Sequence, residues 1–231
     1  MIDFLFPNYC IFCNKESKEV LCFECWKKFK TYSLRNQNTK RCKKCFHPLK
    51  QNQCLFCSSR YLYFDHLIAL YEYNSFTKSL LLDWKYSNNN IVYRIFLKDI
   101  LKIIKEYKPD RIGYITSSKF GKNYRSYDVL ETLVKKIHKT TGIPCGKDIK
   151  KIKSNKQSQG KQNERFFNIL FSFGLTVKLN VINKYLLIED TITTGATVNE
   201  VARILKQEGI KEVLILSIFM EDIEEESLWN Q

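Results

Sequence analysis

An apolar run, Tyr185-Leu-Leu-Ile188, ends in two adjacent carboxylates, Glu189 and Asp190, and a turn of hydroxyls and glycine follows, Thr191-Ile-Thr-Thr-Gly-Ala-Thr197. Carboxylates accept hydrogen bonds and the hydroxyls of a ribose donate them, so the acid pair suits a sugar. A small, hydroxyl-rich turn that opens a helix suits a phosphate, because the first amides of the helix are free and its dipole attracts an anion. Val198 to Gln207 has the composition of that helix. The plainer reading of the same residues is an ordinary strand–turn–helix with a threonine N-cap. Two other phosphate loops are missing from the chain: there is no G-x-x-x-x-G-K-[ST], and no G-x-G-x-x-G after a strand.

Cysteine supplies the second chemistry. Cys10-x-x-Cys13 is followed after eight residues by Cys22-x-x-Cys25, and Cys42-x-x-Cys45 is followed after eight residues by Cys54-x-x-Cys57. The second set repeats the first 32 positions on, from 10 to 42. Four paired thiols per unit match a tetrahedral zinc site, so a double zinc ribbon with two structural ions is expected. Pairing within each repeat is simplest, and a crossed set of the same ligands uses the same residues. Four disulfides would need an oxidising compartment. The first residues, Met1-Ile-Asp-Phe-Leu-Phe-Pro7, lack the basic start of a secretory signal, so a cytoplasmic, reducing location is expected. His47 is a spare ligand that nothing requires, and Cys145 stands alone as an idle or buried thiol. A ribbon of about 60 residues has too little core to fold without its metal, so the zinc is expected to be structural.

The 231 residues carry a formal charge of +14. Residues 1–60 contribute +8, residues 61–165 contribute +11, and residues 166–231 contribute −5. Eight zinc-bound thiolates and two dications lower the first figure to about +4, so the middle segment is the basic one. Lys147, Lys150, Lys151, Lys153, Lys156 and Lys161 crowd together there, with Asp148 the only acid among them. Such a surface attracts polyanions, although a Lys- and Asn-rich composition produces similar totals. No apolar run is long enough to span a bilayer.

These residues need elements to position them. Tyr61 to Tyr73 alternates like strands. Asn74-Ser75 caps a helix to about Trp84, and Lys85 to Asn90 ends it. Ile91 to Tyr107 has helical spacing and closes before Pro109. Arg111 to Thr116 is a short strand opening into a polar, basic loop, 117–125. Tyr127 to Thr140 is an amphipathic helix ended by Gly142-Ile-Pro144. A basic loop spans 149–165. Phe166 to Leu175, Lys184 to Ile188 and Lys211 to Met220 are strands, Ala196 to Gln207 is a helix stopped at Gly209, and the acidic tail from Glu221 frays. Strands alternating with helices predict a parallel sheet, with ligands beyond its carboxyl ends. Loops 117–125, 149–165 and 189–197 would gather there. The expected organisation is a double zinc ribbon over 1–60 and an α/β domain over 61–231.

The acid pair with its Thr-Thr-Gly-Ala-Thr turn resembles the phosphoribosyl-pyrophosphate (PRPP) signature of type I phosphoribosyltransferases. Read as a whole, the chain resembles the ComF (ComFC) family. Besides the ribbon and the PRPP motif, the likeness rests on Tyr71-Glu-Tyr-Asn-Ser75, on Trp84-Lys85-Tyr86 for a Phe-Lys-Tyr element, and on Arg125-Ser-Tyr-Asp128 for Arg-Gly-Phe-Asn. Lys153, Gln157-Ser158, Arg165 and Asn168 match a mobile-loop pattern. Ile115-Thr-Ser-Ser118 stands where the family has Pro-Val-Pro, and Glu189-Asp190 where it has two aspartates. The resemblance implies a type I phosphoribosyltransferase-like α/β sheet flanked by helices. It also implies PRPP binding with Mg²⁺ and a part in natural competence, the uptake and handling of single-stranded DNA.

On that resemblance Glu189 and Asp190 hold the ribose and stand at the catalytic position. Thr191, Thr193, Thr194, Gly195, Ala196 and Thr197 hold the 5′-phosphate, and Ser117, Ser118 and Lys119 face the pyrophosphate. Lys119, Lys122, Arg125, Lys150, Lys151, Lys153, Lys156, Lys161 and Arg165 would meet DNA phosphates, with Tyr124 and Tyr127 as stacking partners. Two alternatives share these residues. One is an active transferase, in which a nucleobase displaces pyrophosphate. The other is a scaffold whose ribbon docks a DNA helicase, a separate chain because this one has no P-loop.

Overall fold

In the computed structural model, which describes residues 9–87, 91–115, 128–152, 169, 171–179 and 182–221, strands and helices alternate along most of the chain. The order is α1 (Phe23–Thr31), α2 (Leu55–Ser58), β1 (His66–Glu72), α3 (Ser75–Tyr86), α4 (Arg94–Tyr107), β2 (Arg111–Tyr114), α5 (Val129–Thr141), β3 (Cys145–Gly146), β4 (Ile149–Lys151), β5 (Phe173–Leu175), β6 (Lys184–Ile192), α6 (Ala196–Gln207) and β7 (Glu212–Met220). Five strands pair in the order β1-β7-β6-β2-β3, all parallel, while β4 and β5 form a separate antiparallel pair. The expected α/β class and parallel sheet are both present.

A parallel sheet covered on both faces needs strands that are apolar throughout, and the two central ones are. Along β6 and β7, Leu186, Ile188, Leu214 and Leu216 pack under α3, α4 and α5. Tyr185, Leu187, Val213 and Ile215 pack on the other face, under α6. The helices begin and end where their sequences dictate. Asn74 and Thr77 form a reciprocal capping box at the start of α3. Asp128 accepts from the amides of Leu130 and Glu131 at the start of α5, and Gly142 closes that helix in the left-handed conformation.

The ribbons join opposite layers. Cys10, Val20, Leu21 and Phe29 of the first belong to the core under α3 and α4, where Phe12 stacks on Phe76 at 3.7 Å. Leu34, Cys45 and Phe56 of the second belong to the core under α6. Backbone bonds tie both units to β1: the Leu67 amide donates to the Lys44 carbonyl at 2.7 Å, and the Glu72 amide to Tyr32 at 2.9 Å.

Several expected boundaries move. β6 continues past Ile188 to Ile192, because Glu189, Thr191 and Ile192 still pair with β7 through Glu189↔Ser217, Thr191↔Phe219 and Ile192↔Met220. Of the strand expected over 166–175, residues 166–168 and 170 lie outside the described residues, and among the others only Phe173–Leu175 is strand. Ile169 is helical, and Phe171 has φ +60°, which no extended run accommodates. The basic stretch from 149 opens as a strand, since Ile149–Lys151 pairs with β5. An ion-paired cluster anchors that stretch to the sheet. Asp148, nearly fully buried, accepts from Arg111 Nε and Nη2, both at 2.6 Å, and from the Tyr185 hydroxyl at 2.8 Å. Gly113 makes room for that hydroxyl, which would lie 1.8 Å from any Cβ there. Among the described residues no helix is long and apolar enough to cross a membrane.

Candidate functional site

The carboxyl end of β6 and the first turn of α6 line a pocket of about 220 Å³. Its walls include Glu189, Asp190, Thr191, Thr193, Thr194, Gly195, Ala196 and Thr197, with Ile115, Phe173 and Lys151 beside them. The structure therefore brings every expected residue of the acid–threonine motif to one cavity. Gly195 adopts φ +71°, a conformation that penalises any side chain, and it opens α6 with no side chain capping the helix. No side chain caps the Thr197 and Val198 amides, which are left for a ligand, and the positive end of the helix dipole lies at the same wall of the cavity. The Thr194 hydroxyl accepts from the Ala196 amide at 3.4 Å and braces the turn. Thr191 Oγ1 is buried on the pocket wall with no hydrogen-bond partner. A buried hydroxyl without a partner is costly, and a bound ligand relieves that cost.

The acids do not stand alone. Lys85, in the last turn of α3, places its ammonium 2.6 Å from Asp190 Oδ2, with side chains only 15% and 13% exposed. Opposite charges this close and this dry compensate each other, which lets two neighbouring carboxylates share one wall. Burial, and after it the Asp190 charge, pushes the Glu189 carboxyl well above the usual range, with Lys85 opposing. Glu189 is half-buried and lines the pocket. Asp128 belongs to the same acidic neighbourhood. Burial raises its carboxyl, and Asp190 adds to the effect. Its Oδ2 is buried without a partner.

Lys85 and Asp128 were not foreseen as site residues. Lys85 lies about a hundred positions before its partner, and from spacing alone it marks only the end of a helix. Its sequence signal was the Trp84-Lys85-Tyr86 element. Asp128 similarly closed the Arg125-Ser-Tyr-Asp128 segment. Of the basic residues expected at nucleic acid, Lys151 lines the pocket, and Lys150 lies exposed beside it on β4. Ser117, Ser118, Lys119, Lys122, Tyr124, Arg125, Tyr127, Lys153, Lys156, Lys161 and Arg165 lie outside the described residues.

The cysteines form two sets, Cys10, Cys13, Cys22 and Cys25, and Cys42, Cys45, Cys54 and Cys57, with the sulfurs of each set within 4.8 Å of one another. This is the pairing within repeats, not the crossed one. A zinc ion with Zn–S bonds of about 2.3 Å spaces its tetrahedral sulfurs about 3.8 Å apart. Cys13 to Cys22 is 3.6 Å, Cys42 to Cys57 is 3.7 Å and Cys45 to Cys54 is 3.3 Å. All three exceed the roughly 2.05 Å of a disulfide. Burial and crowding by neighbouring sulfurs push the Cys25 and Cys45 thiols above their usual range. A dication reverses that, since zinc ligands bind as thiolates. The donor sets therefore fit two structural zinc ions. His47 belongs to neither set. Its Nδ1 lies 3.1 Å from the Cys45 carbonyl, and its ring stacks on Phe56 at 3.9 Å. Cys145 donates to the Ile143 carbonyl at 3.2 Å and joins no metal cluster.

Residues 1–61 match the family model of the double zinc ribbon domain. The chain is 24% identical over 227 residues to the competence protein ComFC of Streptococcus pneumoniae (strain ATCC BAA-255 / R6), covering 90% of this chain and 98% of that protein. It is 23% identical over 231 residues to the competence protein F of Haemophilus influenzae (strain ATCC 51907 / DSM 11121 / KW20 / Rd), covering 93% and 97%. Among solved structures, a purine phosphoribosyltransferase from Pyrococcus horikoshii Ot3 overlaps 56% of this chain and 82% of its own, at 18% identity and a TM-score of 0.36. An adenine phosphoribosyltransferase overlaps 59% and 73%, at 16% identity and the same TM-score of 0.36.

Proposed function

We propose that this chain, a member of the ComF family of double-zinc-ribbon proteins, binds a phosphoribosyl compound such as PRPP in the pocket at the end of β6 and serves natural competence by handling single-stranded DNA. One observation carries the first part. Two carboxylates, an uncapped helix start and an unpartnered threonine hydroxyl line a single cavity. Glu189 and Asp190 accept the ribose hydroxyls. The amides from Thr193 to Thr197 and the hydroxyls of Thr191 and Thr194 take the 5′-phosphate, and Lys151 adds a positive charge at the rim. Lys85 holds Asp190 in place before the ligand arrives, so less order is lost on binding. Mg²⁺ would arrive with the diphosphate and neutralise its oxygens. Ser117, Ser118 and Lys119 are the residues that the sequence offers to that diphosphate.

Calorimetry with PRPP and Mg²⁺ tests this reading. The parent protein binds and Asp190→Asn loses binding, because one carboxylate acceptor becomes an amide that also donates. Undiminished binding by Asp190→Asn would remove the acids from the site. The DNA part rests on the relatives' role in competence and on the basic stretch from Lys147 to Lys161. Contacts to phosphates predict affinity for single-stranded DNA that falls steeply with salt. Binding indifferent to salt would contradict it.

A further inference from the structure

We propose that Phe56, the buried ring of the second zinc knuckle, is a positioning residue for the phosphate turn, so that the second ribbon holds the pocket in its binding shape and the first does not. The inference rests on the phosphoribosyl reading of that pocket. The brace that the turn makes for itself is one long bond, from the Ala196 amide to the Thr194 hydroxyl at 3.4 Å. Gly195 has no side chain, α6 has no N-cap side chain, and Thr193 is exposed. Support must also come from outside, and the one side-chain atom within 4 Å of where a Gly195 Cβ would stand is a ring carbon. A Cβ on Gly195 would lie 3.7 Å from Phe56 Cζ, ordinary van der Waals contact.

Phe56 is itself held firmly. It stands between the ligands Cys54 and Cys57, is 3% exposed, and stacks on His47 with only 11° between the rings. The Arg60 guanidinium lies 4.3 Å from its centroid. It belongs to the same apolar cluster as Ile192, Val198 and Val201, which flank the turn on β6 and α6. A second contact locks the register. Asn199, in the first turns of α6, donates to the Tyr61 carbonyl at 3.0 Å and accepts from the Tyr63 amide at 2.8 Å, in the irregular segment between the second ribbon and β1.

The internal repeat shows that the metal does not demand this ring. The position equivalent to Phe56, 32 residues earlier, is Glu24, which is exposed between Cys22 and Cys25. A knuckle can therefore close on zinc with a charged residue there. The phenylalanine belongs to what lies above it, the turn.

Phe56→Ala and the gentler Phe56→Leu test the proposal, with Phe12→Ala as a control that removes a ring from the first ribbon's packing. Amide hydrogen exchange over residues 193–199 is measured on the free, zinc-loaded proteins well below their melting temperatures, and PRPP affinity follows by calorimetry. The Phe56 variants keep two zinc ions, exchange faster in that turn and bind PRPP about tenfold more weakly, since a displaced binding group costs affinity out of proportion to its shift. Phe12→Ala lowers the melting temperature and moves neither readout. If Phe56→Ala does not fold, Phe56→Leu carries the same test. Unchanged exchange at 193–199 in a destabilised Phe56 variant, or equal loosening in Phe12→Ala, overturns the proposal. Failure of the parent to bind PRPP would instead sink the phosphoribosyl reading, and the exchange comparison would still decide whether Phe56 holds the turn.

Discussion

The two zinc ribbons share a ligand spacing and differ in what they support. The first packs its Phe12 on Phe76 at the start of α3, and the far end of that helix supplies Lys85 to Asp190. The second places Phe56 beside the Gly195 turn, its Cζ 3.7 Å from where a Cβ on that glycine would stand. The second ribbon thus neighbours the phosphate turn, whereas the first meets the helix of Lys85 at the end away from the pocket. The acid end is fixed by charge and the phosphate end by packing. In a duplicated metal module, the cysteines specify the module and the residues between them specify its address. Glu24 and Phe56, at equivalent places in the two knuckles, show how one position changes that address.

The comparison breaks most completely if both ribbons are emptied. A chelator strong enough to remove both ions should unfold the chain, because each ribbon contributes side chains to a core layer and a structural zinc site supplies on the order of 10 kcal/mol. Circular dichroism followed alongside a colorimetric zinc assay measures this. Native signal after full release would show that the ribbons only decorate the fold.

A smaller perturbation reaches the acid end alone. Lys85→Met removes the partner of Asp190 from a nearly dry environment and leaves two adjacent carboxylates uncompensated. Breaking a buried pair from one side costs about 3 kcal/mol, and PRPP affinity should fall with it. Denaturant titration and calorimetry read the two effects, and the turn amides at 193–199 should exchange as in the parent. Faster exchange there would mean that the two ends are not held independently.

The residues also differ in how far the sequence exposed them. The acids, threonines and cysteines were legible because their chemistry is contiguous or evenly spaced. The parallel sheet was legible because its central strands are apolar throughout. What escaped was held together only in space. Lys85 meets Asp190 and Arg111 meets Asp148 across the chain, and neither pairing leaves a periodic trace. β3 has two residues and β4 carries Lys150 and Lys151, so neither gave the alternation of a strand. The acids looked like a polar tip because charged residues usually end a buried strand. Here pairing with Ser217 and Phe219 of β7 carries the strand through them. The cysteine spacing leaves Phe56 unmarked, because its neighbour Gly195 lies far along the chain.

The control for the phosphate end is Phe12→Ala. Its ring stacks on Phe76 in the layer opposite α6, and deleting a partly buried aromatic costs about 2 kcal/mol or more. The loss should appear in stability with PRPP affinity unchanged to within about twofold once the protein is folded. A matching loss of affinity would show that strain passes from the first ribbon along α3 to Lys85.

The smallest effect separates charge from packing by pH. Burial and the Asp190 charge raise the Glu189 carboxyl in the folded chain above its value in the unfolded one. The folded state therefore holds a proton that the unfolded state has already released over the interval between the two values. Below the unfolded value, both states are protonated and Glu189 burial carries no charge penalty. As pH rises through the raised folded value, that advantage is lost, and an ionised, desolvated carboxylate beside Asp190 weakens the fold. Glu189→Gln cannot ionise. It should melt at the parent's temperature near pH 4 and above it near pH 8, while losing one ribose acceptor and therefore PRPP affinity. Phe56→Leu should shift the melting temperature by the same amount at both pH values, since it touches no charge. A pH-dependent difference for Phe56→Leu, or none for Glu189→Gln, would mean that the two ends of the pocket are not held by different forces.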